Sequence, residues 1–331
     1  MGYSEIFLSS LEKFINNELA VLNEEDLREN YSPLVKKFAG FELSAVFNTE
    51  EMAEEKYYLI GKSSELLGKS GYSGIALALL FQNVLSGYLF SILKEKTAFF
   101  AEIYASFLQG ENIFTLPADF VDIYDSKYWF YFDTPAEKLI ILNKEKANIE
   151  VLVNIDPFTE KNDRKRFAWD GFKELILTEE QKSKANLLKI GYLSENDLEN
   201  LEKLKNYLIT GVIVGLLAKV FNTGLEYAKT RIQFEKPIIH FQVISHYLAK
   251  MYSQYLVAKT AWEEVVTEIR EKTFFELNFA TFITGVLDEL HEASDVAVQI
   301  FGGNGYMMEY PVQRFWRESM LLKKYLMAEE G

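Results

Sequence analysis

The sequence predicts a mainly α fold with a small β domain: an N-terminal helical domain, a β domain and a C-terminal four-helix bundle. Three observations predict it. Apolar residues recur at three- and four-residue steps at both ends of the chain, the spacing of one helix face. The middle changes to short aromatic and β-branched runs broken by proline and charge. Of the six prolines, three fall between 117 and 157 and none between 158 and 236 or between 238 and 310. Proline inside a helix costs ~3 kcal/mol, so those two proline-free stretches can hold long helices.

Taken in order, residues 4–30 read as helical, with Phe7, Leu8, Leu11, Phe14, Ile15, Leu19 and Leu22 as the apolar stripe. A helix at about 50–69 is separated from an apolar one at 75–93 by Gly71–Gly74, and Lys96–Gln109 ends at Gly110. These make a helical domain over 1–110. Tyr128–Phe132, Lys138–Asn143 and Ile149–Asn154 are strand-like and place a β domain over 111–182. The bundle, 183–331, begins with one long helix from Asn196 to Thr230. It continues with Gln242–Thr273, Phe274–Val298 and Pro311–Glu330. Gly211 and Gly215 lie four apart on the long helix and allow a second helix to approach closely.

Composition excludes several function classes. The 331 residues carry 35 basic and 49 acidic side chains, a net charge of −14. That rules out nucleic-acid binding through a general basic surface and disfavours anionic membranes. With no cysteine there is no disulfide scaffold, thiolate metal site or thiol nucleophile. The three histidines, His240, His246 and His291, have no metal-ligand spacing. The start of the chain has neither a basic nor an apolar run. The longest apolar stretch, Tyr207–Phe221, is shorter than the ~20 residues of a membrane span. The expectation is a soluble, cytoplasmic protein.

Two clusters stand out. Gln299–Tyr306, followed by Glu309-Tyr310-Pro311, is a glycine-rich corner between helices. Its backbone amides can approach an anion or cofactor, although a plain helix–helix turn has the same composition. The second cluster, Tyr227–Gln242, ends one long helix and starts the next. Arg231 at that corner could hold a phosphate through its planar donors, or be a solvated surface arginine.

Together the two clusters resemble the acyl-CoA dehydrogenase flavoprotein family. The matching residues are Arg231-x-x-Phe234-x-Lys236-Pro237-Ile238…Phe241-Gln242 and Gln299-Ile-x-Gly302-Gly303-x-Gly305-Tyr306…Glu309-Tyr310-Pro311-Val312-x-Arg314…Arg317-Glu318. Phe114-Thr115-Leu116-Pro117 and Trp129-Phe130-Tyr131-Phe132 look like two strands of the same family. The resemblance is to a divergent, shortened member. It implies FAD held between subunits, so that the chain forms a homo-oligomer or pairs with a homologue. By the same resemblance, Arg231 contacts the pyrophosphate with Phe234 in support, Gln299 and Gly303 line the adenine side, and Thr115 and Trp129 face the isoalloxazine. The implied reaction is flavin-dependent oxidation of the α,β C–C bond of an acyl thioester, on CoA or a carrier protein.

Departures from the family pattern leave the catalytic base unassigned. One of its usual positions is Leu326 and the other Lys205, while Glu329 and Glu330 lie about one turn beyond Leu326. Leu116 replaces a glutamate, Tyr131 a threonine, and Ala118-Asp119-Phe120 a glycine-rich loop. Three readings follow: an active flavoprotein oxidoreductase, a member without chemistry serving as a binding or partner subunit, and a ligand-free helical interaction protein.

Overall fold

The computed structural model describes residues 2–22, 33–47, 55–93, 98–111, 114–115, 127–131, 138–145, 148–154, 172–176, 187–269 and 279–327. The chain forms two compact units. One comprises Met1–Ile60 and Gly74–Asn206, the other Gly61–Ser73 and Tyr207–Gly331.

The first unit opens with α1 (Tyr3–Phe14), which widens into a π-turn at Ile15–Leu19. Helix stops there, short of Leu22, because Asn16 and Asn17 are poor helix formers and the Ala20 N–H reaches back five residues to Ile15. Helix α2 (Lys56–Gly68) begins in this unit and ends in the other. Helix α3 spans Ser73–Ile92 with a π-turn at Phe81–Leu85, and α4 is Ala98–Leu108.

The sheet region lies in the same unit. Strands β1 (Phe114–Thr115), β3 (Lys138–Glu145), β4 (Asn148–Asn154) and β6 (Leu187–Leu193) form one sheet in the order β1-β3-β4-β6. Strands β2 (Lys127–Tyr131) and β5 (Phe172–Ile176) form a separate antiparallel pair. Ile140 and Leu142 on β3 lie opposite Val153 and Val151 on β4, and all four are buried, as two-residue alternation requires. Strand β6 continues the sheet beyond residue 182.

The second unit is built from helices. Helix α5 (Glu195–Thr230) enters it at Tyr207 and is followed by α6 (Gln242–Glu268), α7 (Ala280–Phe301) and α8 (Val312–Met327). Its centre holds the fully buried Trp262 and Tyr207, ring centroids 5.0 Å apart, with Phe279 at 5.1 Å from Tyr207. Complete burial pushes the Tyr207 phenol well above its ordinary pKa.

The close approach expected at Gly211 and Gly215 is present. A Cβ on Gly211 would lie 2.6 Å from Ser64 Oγ, and one on Gly215 would lie 2.0 Å from the Glu65 carbonyl oxygen. The reciprocal contact is Gly68 against the Val212 carbonyl, at 2.2 Å for a Cβ. The C-terminal half of α2 therefore packs backbone to backbone on α5.

That crossing buries Glu65, whose side chain is 2% exposed. Its carboxylate lies 2.6 Å from the Lys259 Nζ and 2.8 Å from the Lys69 Nζ. Lys62 and Lys259 also pair with Glu263. Burial alone would raise the Glu65 pKa, but the ammonium groups of Lys69 and Lys259 hold it below the usual carboxylate value.

Two helices, Ser73–Ile92 and Glu195–Thr230, are long and apolar enough to cross a membrane. Of their most apolar windows, 83% and 72% lie buried inside the protein, so that apolar surface is already covered by the core.

Candidate functional site

The two corners singled out in the sequence meet in the second unit. The first is the end of α5. The Arg231 N–H still donates to the Tyr227 carbonyl at 2.9 Å, and the Arg231 carbonyl accepts from the Ile238 N–H at 2.9 Å. Its backbone is therefore pinned from both sides, while the side chain is exposed.

Between these anchors the chain makes a two-residue hairpin. Strand β7 (Ile232–Gln233) pairs with β8 (Lys236–Pro237), leaving Phe234 and Glu235 as the loop. Both loop residues have positive φ, 51° and 66°. That is the type I′ arrangement, which asparagine and glycine normally supply. Phe234 is held in this conformation with 85% of its surface exposed. Its ring meets Phe241 edge-on at 6.2 Å, and the Lys236 ammonium lies over the Phe241 face at 4.6 Å. Left-handed backbone costs a non-glycine residue ~1–2 kcal/mol. Glu235→Gly is accordingly expected to raise the unfolding free energy by ~1 kcal/mol, read as a higher midpoint in a denaturant titration.

The second corner is the end of α7. Gly302 terminates the helix with φ 60°, and its N–H donates to the Gln299 and Val298 carbonyls. A 3₁₀ turn follows, Gly302–Tyr306. A Cβ on Gly305 would lie 2.6 Å from the Val298 carbonyl oxygen, so only glycine permits the fold-back there. A Cβ on Gly302 or Gly303 would meet nothing within 4 Å, so the backbone at these two positions faces open space.

Between the corners lies a cleft of about 560 Å³, lined among others by Arg231, Phe234, Phe241, Phe301, Gly302 and Gly303. This is within the ~300–1,000 Å³ of small-molecule sites. Arg231 carries the one full charge among the described lining residues. A guanidinium facing exposed backbone across an aromatic-walled cleft suits a phosphorylated aromatic ligand.

The structure brings Arg231, Phe234 and Gly303 to one cleft. Gln299 is exposed on the last turn of α7, and its side chain is not part of the lining. Thr115 and Trp129 lie in the other unit on different sheets, Thr115 opposite Leu139 and Trp129 opposite Glu174. Lys205 is buried on α5, Leu326 lies on α8, and Glu329 and Glu330 fall outside the described residues. Leu116 and Ala118–Phe120 also fall outside them. Sequence reasoning missed Phe241 and Phe301 as walls and Tyr227 and Asn304 as lining residues. Tyr227 precedes Arg231 by one helical turn, the one local signal that it faces the same way.

The architecture is that of the acyl-CoA dehydrogenase fold. Butyryl-CoA dehydrogenase from Megasphaera elsdenii superposes with a TM-score of 0.75 at 19% identity, over 98% of this chain and 94% of its own. PigA, solved with FAD and proline, gives 0.75 at 16% identity, over 98% and 95%.

Sequence comparison narrows the class. Residues 206–325 match the family model of the acyl-CoA dehydrogenase C-terminal domain. A short-chain-specific acyl-CoA dehydrogenase of M. elsdenii is 34% identical over 112 residues. That match covers 34% of this chain and 29% of the relative.

Proposed function

We propose that this chain binds FAD and is an acyl-CoA dehydrogenase-like oxidoreductase acting on the α,β C–C bond of an acyl thioester. The observation that carries the reading is the convergence of the Arg231 guanidinium and the open Gly302–Gly303 backbone on one cleft. The residues fit a dinucleotide. Arg231 would hold the pyrophosphate, Phe234 would flank it and Gly303 would border the adenine, while Gln299, outside the cleft lining, is assigned to the adenine side by family resemblance alone. By family resemblance Thr115 and Trp129 would face the ring system. When bound, FAD supplies the hydride acceptor.

The same reading gives the chain a homo-oligomeric or homologue-paired assembly in the cytoplasm. The exposed apolar side chains on α6, among them Val243, Tyr252, Leu256 and Val257, support it.

A second reading is a member that keeps the dinucleotide cleft without the chemistry, completing a site on a catalytic homologue. Its support is specific: Leu326 has no titratable group, and Lys205 is a buried lysine rather than a carboxylate.

Purification settles the two in sequence. Yellow protein with a flavin spectrum is expected, and protein that stays colourless in millimolar FAD overturns both readings. Anaerobic addition of a mixed acyl-CoA set should then bleach the flavin. A stable spectrum, together with co-purification of an acyl-CoA dehydrogenase homologue, selects the second reading. Arg231→Ala is expected to weaken FAD binding ~10–100-fold, the loss of one charge-assisted hydrogen bond. Unchanged affinity in a fluorescence titration would remove Arg231 from the site.

A further inference from the structure

We infer that Tyr227 is the positioning residue that sets the glycine corner against the Arg231 corner, a role that rests on the FAD reading above. Tyr227 lies in the last turn of α5, and its carbonyl accepts from the N–H of Arg231 just beyond the helix, which ties the two backbones together. Its ring stacks on Phe301, the last residue of α7, at 3.7 Å between centroids and 15° between planes. Its hydroxyl accepts from Asn304 Nδ2 at 2.9 Å, inside the 3₁₀ turn, and points its own proton toward the Phe301 carbonyl at 3.5 Å. The same amide reaches the Tyr310 hydroxyl at 3.4 Å, and the Tyr310 ring meets both other rings edge-on.

The consequence is geometric. Gly302 and Gly303 have no side chains to brace them, and no described atom would touch a Cβ at either position. Their backbone direction is set by the residues on either side. Phe301 is fixed by stacking and Asn304 by hydrogen bonding, and both contacts run to Tyr227. One side chain on α5 therefore clamps the turn from both ends and fixes its distance from the guanidinium.

The test uses the full-length chain and the variants Tyr227→Phe, Asn304→Ala and the double. Tyr227→Phe keeps the stacked ring and removes only the hydroxyl. Without flavin, faster amide hydrogen exchange confined to residues 302–306 is expected, with an unchanged melting temperature. With FAD, ~5–10-fold weaker binding is expected for each single variant and no further loss in the double. Wild-type exchange rates at 302–306 in Tyr227→Phe overturn the inference. So does a general loss of melting temperature with exchange raised throughout the second unit. If the wild type binds no FAD while the confined exchange effect persists, the flavin reading fails and the clamp stands.

Discussion

Gly215→Ala is expected to cost about 3 kcal/mol or more, or to prevent folding. The added methyl would sit 2.0 Å from the Glu65 carbonyl oxygen and 2.9 Å from both the Gly68 Cα and the Lys69 nitrogen. All three are backbone atoms of the facing segment, so no rotamer change can relieve the clash. The two helices would have to separate, opening the packing around Trp262 and Tyr207. Gly285 on α7 is the control. A Cβ there meets nothing within 4 Å, and the residue is exposed. Gly285→Ala should stabilise by ~0.5–1 kcal/mol, the ordinary helix-propensity gain. Urea unfolding of the pair should therefore show shifts of opposite sign, and equal midpoints would contradict the packing.

Glu65→Gln is expected to lose ~2–3 kcal/mol at neutral pH, somewhat below the ~3–5 kcal/mol for breaking a fully buried pair. The discount reflects partial exposure: Lys259 is 22% and Lys69 39% accessible, so water screens part of the unpaired charge. The substitution leaves Lys62 and Lys259 paired with Glu263 and removes the Lys69 ion pair.

The pH dependence follows from the sign of the shift. Against the pull of burial, Lys69 and Lys259 depress the Glu65 pKa, so its contribution is complete above the unfolded carboxylate value of ~4.3. It is lost as pH falls through the lower folded value. Glu263 is depressed too, chiefly against burial by its bonds to Lys259 and Lys62, and fades over the same acidic window. The stability gap between wild type and Glu65→Gln should therefore be constant from pH 6 to 8 and close in acid. A gap that persists at pH 2 would show that packing, not charge, sets the loss.

Helices were the legible part of this fold, because a 3.6-residue pattern is local. The α5 range departs from its sequence expectation by one residue at its start, and the Gly211–Gly215 spacing foretold a real crossing. The π-turns at Ile15–Leu19 and Phe81–Leu85 were not legible, since one extra residue per turn barely disturbs an apolar stripe. The hairpin at Phe234–Glu235 was hidden because it lacks the glycine or asparagine that advertises a type I′ turn.

The site was legible as two motifs and illegible as one cleft. Nothing local says that Phe301 stacks on a ring 74 residues earlier. Nor does any motif mark the split of α2 at Ile60 and Gly61, which is a property of packing alone.

The strained hairpin tip carries a thermodynamic consequence. The backbone at Phe234 already has its left-handed conformation before any ligand arrives, and the ring meets Phe241 edge-on, so contact with the tip forfeits little backbone freedom. Calorimetry of dinucleotide binding should show a smaller entropic penalty for the native tip than for one loosened by glycine at 235. The loosened tip gains backbone stability and surrenders preorganisation.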